Sequence, residues 1–257
     1  MGGDAGGFVG YPMVEESEAT GAVAAVYAHL LDGMPFVPSL FKSLALCPGY
    51  LVLAHEQAAG VLPDPSFAQS AQNLLTSARE ITTPPADADV RGALAGFTGP
   101  LSRMLLLAAG LRLALDGELH APPAPGQALE ARPVRPASPA PSPADAPAPE
   151  LYGQIRAALD TPVVNSIWRS LADGGLLEAA WDHLGPQVPA TRAAADDLQH
   201  RAVDAARHLP WQVVADPIAL EQAGLDDARP GMAAVLGAYM TTLPRVLVLV
   251  ASSSAPE

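Results

Sequence analysis

The chain has 257 residues, of which 49% are hydrophobic and 16% are charged, as is typical of a globular protein. Its 27 acidic and 14 basic side chains give a net charge of −13, which repels phosphate backbones and excludes nucleic acid as an expected partner. The single cysteine, Cys47, excludes an internal disulfide, a CxxC redox pair and a cysteine-based metal cluster.

The first residues predict no targeting segment. Residues 1–21 contain no basic stretch followed by an apolar one, so we expect no signal peptide. The most apolar run, residues 101–115, is too short for a bilayer span and carries Arg103 and Arg112. We therefore expect a cytoplasmic protein that does not enter a membrane.

Helical periodicity begins after residue 21. Residues 22–31 place apolar side chains at i, i+3, i+4 and i+7, namely Val23, Val26, Tyr27 and Leu30. Pro35 then breaks the chain, and Ser39 is a candidate cap for the next helix. In the second half of the chain Pro162 aligns with Pro35, and Asn165, which aligns with Pro38, is the candidate cap. The sequence thus predicts a helix, a break and a short second helix in each half.

Residues 121–149 predict a linker between the two halves. Proline occupies more than one position in three over most of this segment, which excludes a helix or a central strand and favours extended geometry. A disordered linker and one that runs extended over the surface are both consistent with this composition.

The two sides of this linker repeat one another. Three pairs of segments align in the same order, 35–45 with 162–172, 71–78 with 195–202, and 97–107 with 239–249. The first pair shares six identities in eleven positions. We therefore predict an all-α protein of two homologous helical repeats, residues 12–120 and 150–253, that form a pseudo-dimer with a cleft between them. The C-terminal residues 247–254 have the composition of a strand, but their repeat partner favours helix.

These motifs resemble the group I, DehI-type 2-haloacid dehalogenases. The resemblance rests on the tyrosine of the first helix, the basic-Ser-Leu-Ala helix after the proline, the "PGYL" turn at residues 48–51 and the apolar helix that ends each repeat. It implies an all-helical fold, often dimeric, with an active site between the repeats. It also implies a hydrolase acting on carbon–halide bonds, in which an aspartate activates water to displace halide from a 2-haloalkanoic acid, without a cofactor.

The resemblance implies site residues from both repeats. The substrate-binding candidates are Phe36, Ser39, Ser166 and Tyr239. The position of the catalytic aspartate is occupied by Ile167, which cannot accept a proton, and the position of an asparagine on the last helix of repeat 1 is occupied by Leu101. The catalytic residue therefore stays unknown.

Each substrate-binding candidate also has a structural interpretation. Ser39 and Ser166 are candidate helix caps. Phe36 is a candidate core residue, and Tyr239 a candidate core tyrosine with a satisfied hydroxyl. Of the two repeat-equivalent arginines, Arg103 and Arg245, structural pairing with acidic neighbours is the favoured interpretation, with anion binding as the alternative.

Other polar residues are weighed as replacements for the missing base or as metal ligands. Asp160 and Asp173 flank the vacant position, but their sequence context favours turns. His55 is treated as a residue of an amphipathic helix, with lining of the cleft as the alternative. Residues 200, 204 and 208 place two histidines and an aspartate on one helical face, which we interpret as solvated, so no metal is expected.

Three functions remain open. The first is a hydrolytic 2-haloacid dehalogenase whose base comes from elsewhere in the chain. The second is a catalytically divergent or inactive relative that binds a small carboxylic acid. The third is a non-enzymatic scaffold whose linker docks partners through polyproline contacts. A small carboxylic-acid ligand and a homodimer are the partners that the resemblance implies, and no membrane or nucleic acid is expected.

Overall fold

The computed structural model describes residues 13–34, 36–119, 149–162 and 164–254. Over these ranges the chain is predominantly α-helical and contains no strand, which confirms the all-α fold class. The predicted linker, residues 121–149, lies outside the described residues except for Pro149, where a helix begins.

The described residues form eleven α-helices. Before the linker these are α1 (Gly21–Gly33), α2 (Ser39–Leu44), α3 (Pro48–Val61), α4 (Pro65–Ala78) and α5 (Ala88–Leu115). After it they are α6 (Pro149–Leu159), α7 (Ser166–Asp173), α8 (Leu177–Leu184), α9 (Val188–Arg207), α10 (Pro217–Gln222) and α11 (Arg229–Val250). Short 3₁₀ turns at Gly185–Gln187, Asp226–Ala228 and Ala251–Ser254 complete the fold.

The starts of several helices follow from local chemistry. The side chains of Asp64, Asp87, Asn165 and Asp216 accept backbone N–H groups of the first turns of α4, α5, α7 and α10. Such caps satisfy donors that have no partner within the helix. The cap predicted for Asn165 is confirmed, whereas α2 begins after Pro38 and has no side-chain cap.

Each pair of aligned segments lies on helices. Segments 35–45 and 162–172 include α2 and α7, segments 71–78 and 195–202 lie on α4 and α9, and segments 97–107 and 239–249 lie on α5 and α11. The C-terminal residues continue α11 to Val250 and end in a 3₁₀ turn, so the helical expectation is confirmed. The duplication itself stays a prediction from the sequence.

The core is built around α5 and α11, which pack against each other and against α9. The apolar run of residues 101–115 is part of α5, a helix of 28 residues. The expectation that this helical segment is too short to span a membrane is therefore wrong. Both α5 and the segment containing α11 are long and apolar enough to cross a bilayer by length and composition. Their most apolar windows are 67% buried within the fold, as expected of the core helices of a globular protein.

Candidate functional site

A small cavity lies where α2, α5, α7 and α11 meet. Its lining residues come from both halves of the chain, and they are Phe36, Pro38, Ser39, Leu40, Phe97, Pro100, Leu101, Met104, Asn165, Ser166, Tyr239 and Leu243. The cavity volume of about 20 Å³ is room for a single water molecule. The lining is mainly apolar and includes four residues with polar side chains, as small-molecule sites commonly do.

The cavity brings together all four substrate-binding candidates. Phe36, Ser39, Ser166 and Tyr239 line it, although about 200 positions separate the first from the last. Leu101, at the position of the asparagine, lines it as well. That these residues bind a substrate stays a prediction.

Aligned positions of the two predicted repeats meet at this cavity. Four such pairs line it, Pro38 with Asn165, Ser39 with Ser166, Phe97 with Tyr239, and Leu101 with Leu243. This is the arrangement expected when two similar halves face each other across a pseudo-two-fold axis. Sequence reasoning did not name Phe97 or Leu243, yet both are the repeat partners of residues that it did name.

Ser39 is the most unusual polar group of the cavity. Ser39 is only 4% exposed, and its hydroxyl oxygen has no hydrogen-bond partner. A buried hydroxyl without a partner costs about 1–3 kcal/mol relative to one that is satisfied. Because Pro38 precedes α2 and no side-chain cap forms, the cap interpretation of Ser39 is wrong. The hydroxyl is left as a donor beside the cavity.

Tyr239 fixes the position of Ser39 from α11. Its hydroxyl donates to the backbone carbonyl of Ser39 at 2.7 Å, and it lies 2.9 Å from the hydroxyl of Ser43. With the tyrosine proton committed to Ser39, the Ser43 hydroxyl donates to the tyrosine oxygen. Tyr239 is therefore both a satisfied core tyrosine and a lining residue.

Asn165 and Ser166 bring the start of α7 to the cavity. The side-chain oxygen of Asn165 accepts the N–H of Ile167 at 3.1 Å, and its carbonyl accepts the N–H of Trp168 at 3.1 Å. The Ser166 hydroxyl lies 3.4 Å from the same side-chain oxygen and caps no helix N–H, so its cap interpretation is wrong too. The first turn of α7 adds a partial positive charge at this side of the cavity.

Ile167 does not line the cavity. Its side chain is fully buried in the hydrophobic core, while Ser166, the preceding residue, faces the cavity lining. Successive residues of a helix are separated by about 100° around its axis, so the two side chains leave α7 in different directions. Leu40, which aligns with Ile167, does line the cavity. The two halves therefore differ at the position where the resemblance places the catalytic aspartate.

The cavity lining lacks a general base. Among its described residues none carries a carboxylate, an imidazole or an amine. Asp160 is exposed with φ of 48° and pairs with Arg245, and Asp173 is exposed at the end of α7. Neither of these acids lines the cavity, as the turn interpretation expected.

His55 lies on α3 and is buried against α1. Its ring meets the ring of His29 edge-on, with 5.6 Å between centroids, and its Nδ1 has no hydrogen-bond partner. Burial, with a smaller contribution from His29, lowers the pKa of His55 to about 4. His55 is thus a neutral residue of the interior and does not line the cavity.

The remaining candidates lie away from the cavity. His200 and Asp204 are exposed on α9, and His208 is exposed directly after it, as the solvated-face interpretation expected. Arg245 bonds backbone carbonyls and pairs with Asp160, which is the structural pairing that was expected. Arg103 instead lies over the ring of Phe67 at 5.9 Å, a cation–π contact rather than an ion pair.

Comparisons with known proteins identify the fold. No protein-family model matches the sequence, and no curated protein is significantly similar to it. Seven solved chains match its structure. One is a D-2-haloacid dehalogenase in complex with L-LA, with a TM-score of 0.77, 20% identity and 94% of each chain covered. The chain has this all-α fold.

Two further structures show the same likeness. They are a D-2-haloacid dehalogenase mutant and a mutant in complex with D-2-CPA, each with a TM-score of 0.76, 19% identity and 94% of each chain covered. At these identities the comparison establishes the architecture of the chain. The activity has to be argued from the residues of the site.

Proposed function

We propose that this protein is a catalytically divergent relative of the 2-haloacid dehalogenases, of the group I type, that binds a small carboxylic acid without displacing halide. The observation that carries the proposal is a cavity with a buried, unpartnered serine hydroxyl and no base in its lining. The first feature favours a ligand that accepts hydrogen bonds, and the second opposes hydrolysis.

The carboxylate of the ligand lies against the polar groups of the lining. It accepts a hydrogen bond from Ser39, whose hydroxyl then gains the partner it lacks. The Ser166 hydroxyl, which leaves its long 3.4 Å hydrogen bond to Asn165, supplies a second donor, and the first turn of α7 supplies a favourable dipole. The hydrocarbon part of the acid packs against apolar lining residues such as Phe97 and Met104.

The ligand enters after the lining side chains move apart. A cavity with room for one water does not hold an acid of three carbons. The ring centroids of Phe36 and Phe97 lie 5.6 Å apart, and both residues are only partly buried. We therefore expect Phe36, in the irregular segment before α2, to shift when the acid binds.

Hydrolysis requires a group that removes a proton from water. A general base contributes about 10² to 10⁴ in rate, and the described lining offers only hydroxyl and amide groups. Tyr239 does not serve, because its hydroxyl already donates to the Ser39 carbonyl. The proposal therefore predicts binding of haloacids without turnover.

The test measures binding and chloride release on the same protein. D- and L-2-chloropropionate and propionate are titrated calorimetrically, and chloride is followed over hours. We expect saturable binding without chloride release, and a Ser39→Ala variant that binds about tenfold more weakly. Ser77→Ala, which removes an exposed hydroxyl bonded within α4, is the matched control and should bind like the wild type.

Two outcomes would replace the proposal. Chloride release by the wild type means that a base outside the described lining reaches the cavity, and the protein is then a hydrolytic dehalogenase. Absence of saturable binding by every acid, or equal affinity of the Ser39→Ala variant, removes the carboxylate site and leaves the scaffold interpretation.

A further inference from the structure

The segment before α1, residues 13–18, contacts both α2 and α7. The backbone N–H of Val14 donates to the carbonyl of Lys42 at 3.0 Å, and the hydroxyl of Tyr27 donates to the carbonyl of Val14 at 2.7 Å. The guanidinium of Arg169 lies 3.6 Å from the sulfur of Met13. We call residues 13–18 the N-terminal strap.

The strap carries two carboxylates that hold cations from both halves. Glu15 binds the Lys42 ammonium at 2.8 Å through one oxygen and the Arg169 guanidinium at 3.0 Å through the other. Glu16 binds Lys42 at 3.0 Å. The four side chains are between 7% and 21% exposed, so the cluster is largely shielded from water. One carboxylate thus joins helices of opposite halves through charge-assisted hydrogen bonds.

The joined points are equivalent in the two predicted repeats. Lys42 and Arg169 align with each other, and each lies one helical turn after a cavity serine, Ser39 on α2 and Ser166 on α7. The residue next to Lys42, Ser43, holds the hydroxyl of Tyr239. A movement of either helix at the strap would therefore be transmitted to the cavity.

The protonation state of Glu15 agrees with this geometry. Burial alone raises the pKa of the Glu15 carboxyl, but the hydrogen bond and charge of Lys42 and the charge of Arg169 outweigh burial and hold the pKa below its usual range. The carboxylate is therefore charged at neutral pH and binds both cations. A buried cluster of this kind is better suited to fix one arrangement of two elements than to add net stability.

We infer that Glu15 is a positioning residue for the cavity, which sets the spacing of Ser39 and Ser166 by holding α2 and α7 in one relative arrangement. The inference rests on the proposed function, because the cavity is taken to bind a carboxylic acid. Neither Glu15 nor Arg169 lines the cavity, so their effect on a ligand acts through the two helices.

The first experiment reports the arrangement of the helices without a ligand. Spin labels are attached at Leu46→Cys, just after α2, and Ser170→Cys, on the exposed side of α7, in a Cys47→Ser background. Pulsed dipolar spectroscopy then measures the distance between them. We expect a narrow distribution in this background and a broadened or shifted one in Glu15→Gln. Glu118→Gln, which removes an exposed carboxylate paired with Arg207, should leave the distribution unchanged.

The second experiment measures the dissociation constant for 2-chloropropionate at a temperature where circular dichroism shows each variant fully folded. Glu15→Gln should raise it about fivefold, and Glu118→Gln should not. Leu74 is a buried residue of α4 that does not line the cavity. The Leu74→Ala variant is therefore a control for weaker binding that results only from lower stability. Equal weakening by Leu74→Ala would overturn the positioning role.

The remaining outcomes separate this inference from the proposed function. An unchanged distance distribution in Glu15→Gln overturns the inference even when the wild type binds acids. A broadened distribution in a protein that binds no acid refutes the proposed function and leaves the strap as a contact between the halves. If Glu15→Gln fails to fold, Arg169→Gln decides the question, because it removes only the partly exposed α7 side of the cluster.

Discussion

Helices α2 and α7 have closely similar sequences, yet their polar side chains find partners in different ways. All six residues of α2 are buried, and the two polar side chains that have partners bond distant parts of the chain. Lys42 pairs with the strap, and Ser43 bonds Tyr239 on α11. On α7 Arg169 also pairs with the strap, but the cap comes from the adjacent Asn165, and Ser170 is exposed.

The different burial of α2 and α7 shows that a similar sequence does not determine which parts of the fold surround a helix. α2 packs against α11 and α3, whereas α7 packs against α8 and α5, and the strap contacts both helices. The same basic-Ser-Leu-Ala pattern is thus enclosed in one half and half-exposed in the other. Since polar groups in the interior depend on their partners, we expect substitutions in α2 to be more harmful than the same substitutions in α7.

The largest effect is expected from a carboxylate on the buried side of α7. Ile167→Asp places an acid in the core without a partner and should lower the free energy of unfolding by about 3–5 kcal/mol. Ser166→Asp, one residue earlier, places the acid at the first turn of α7 beside the cavity and should change it by less than about 1 kcal/mol. Urea denaturation of both variants measures the difference, and similar losses would contradict the assignment of these two faces.

A second pair tests the enclosure of α2 directly. Lys42→Met leaves Glu16 without its cation in a shielded site and should lower the free energy of unfolding by about 3 kcal/mol. Arg169→Met removes a more exposed partner and should cost about 1 kcal/mol. Thermal and urea unfolding compare the two, and equal losses would show that α2 and α7 are equally shielded.

The first half, through His55, should also make the free energy of unfolding depend on pH. His55 is buried on α3 in the first half, and Trp181 is buried on α8 in the second half. The pKa of His55 is about 4 in the folded chain, below its ordinary value of 6.5, so between these values the unfolded chain binds more protons. Stability is therefore fully present above pH 6.5 and is lost as the pH falls towards 4, by about 1 kcal/mol per pH unit.

Urea midpoints between pH 7.5 and 4.5 measure this slope. A His55→Gln variant should lose most of it, since glutamine does not titrate. A Trp181→Gln variant should keep the slope, although it is less stable at every pH because it loses the ring contact with Trp168. An unchanged slope in His55→Gln would assign the pH dependence to other groups.

The smallest effect concerns the two cavity serines. Ser39→Ala removes a buried hydroxyl that has no partner and should raise the free energy of unfolding by about 1 kcal/mol in the absence of ligand. Ser166→Ala alters a partly exposed hydroxyl and should change it by less than about 0.5 kcal/mol. A loss of stability in Ser39→Ala would show that its hydroxyl has a partner in solution.

The sequence predicted local features well because they depend on neighbouring residues. Prolines 35 and 162 indicated the breaks before α2 and α7, and Asn165 was a recognisable cap. Ser39 looked equally suitable as a cap, but Pro38 precedes α2, and the serine lies inside the first turn. Its unpartnered hydroxyl was not predictable, because it depends on what α5, α7 and α11 place around it.

The choice of cavity residues shows the same limit. Phe36, Ser39, Ser166 and Tyr239 were named from the resemblance, and they do line one cavity. The strap was not anticipated, since nothing in residues 13–18 indicates that Glu15 meets cations from both halves. Such a contact joins residues more than 150 positions apart, and no periodicity or local motif records it.

By itself the sequence determined the all-α class and the proline breaks, because helical periodicity and turn chemistry act over a few residues. It also determined that Ile167 supplies no acid, which is a matter of side-chain chemistry alone. Only the tertiary structure decided that Ile167 points into the core while Ser166 lines the cavity, and that α2 is enclosed while α7 is not. Burial and partners are set by the packing of distant helices, and two similar sequences acquire different roles when their surroundings differ.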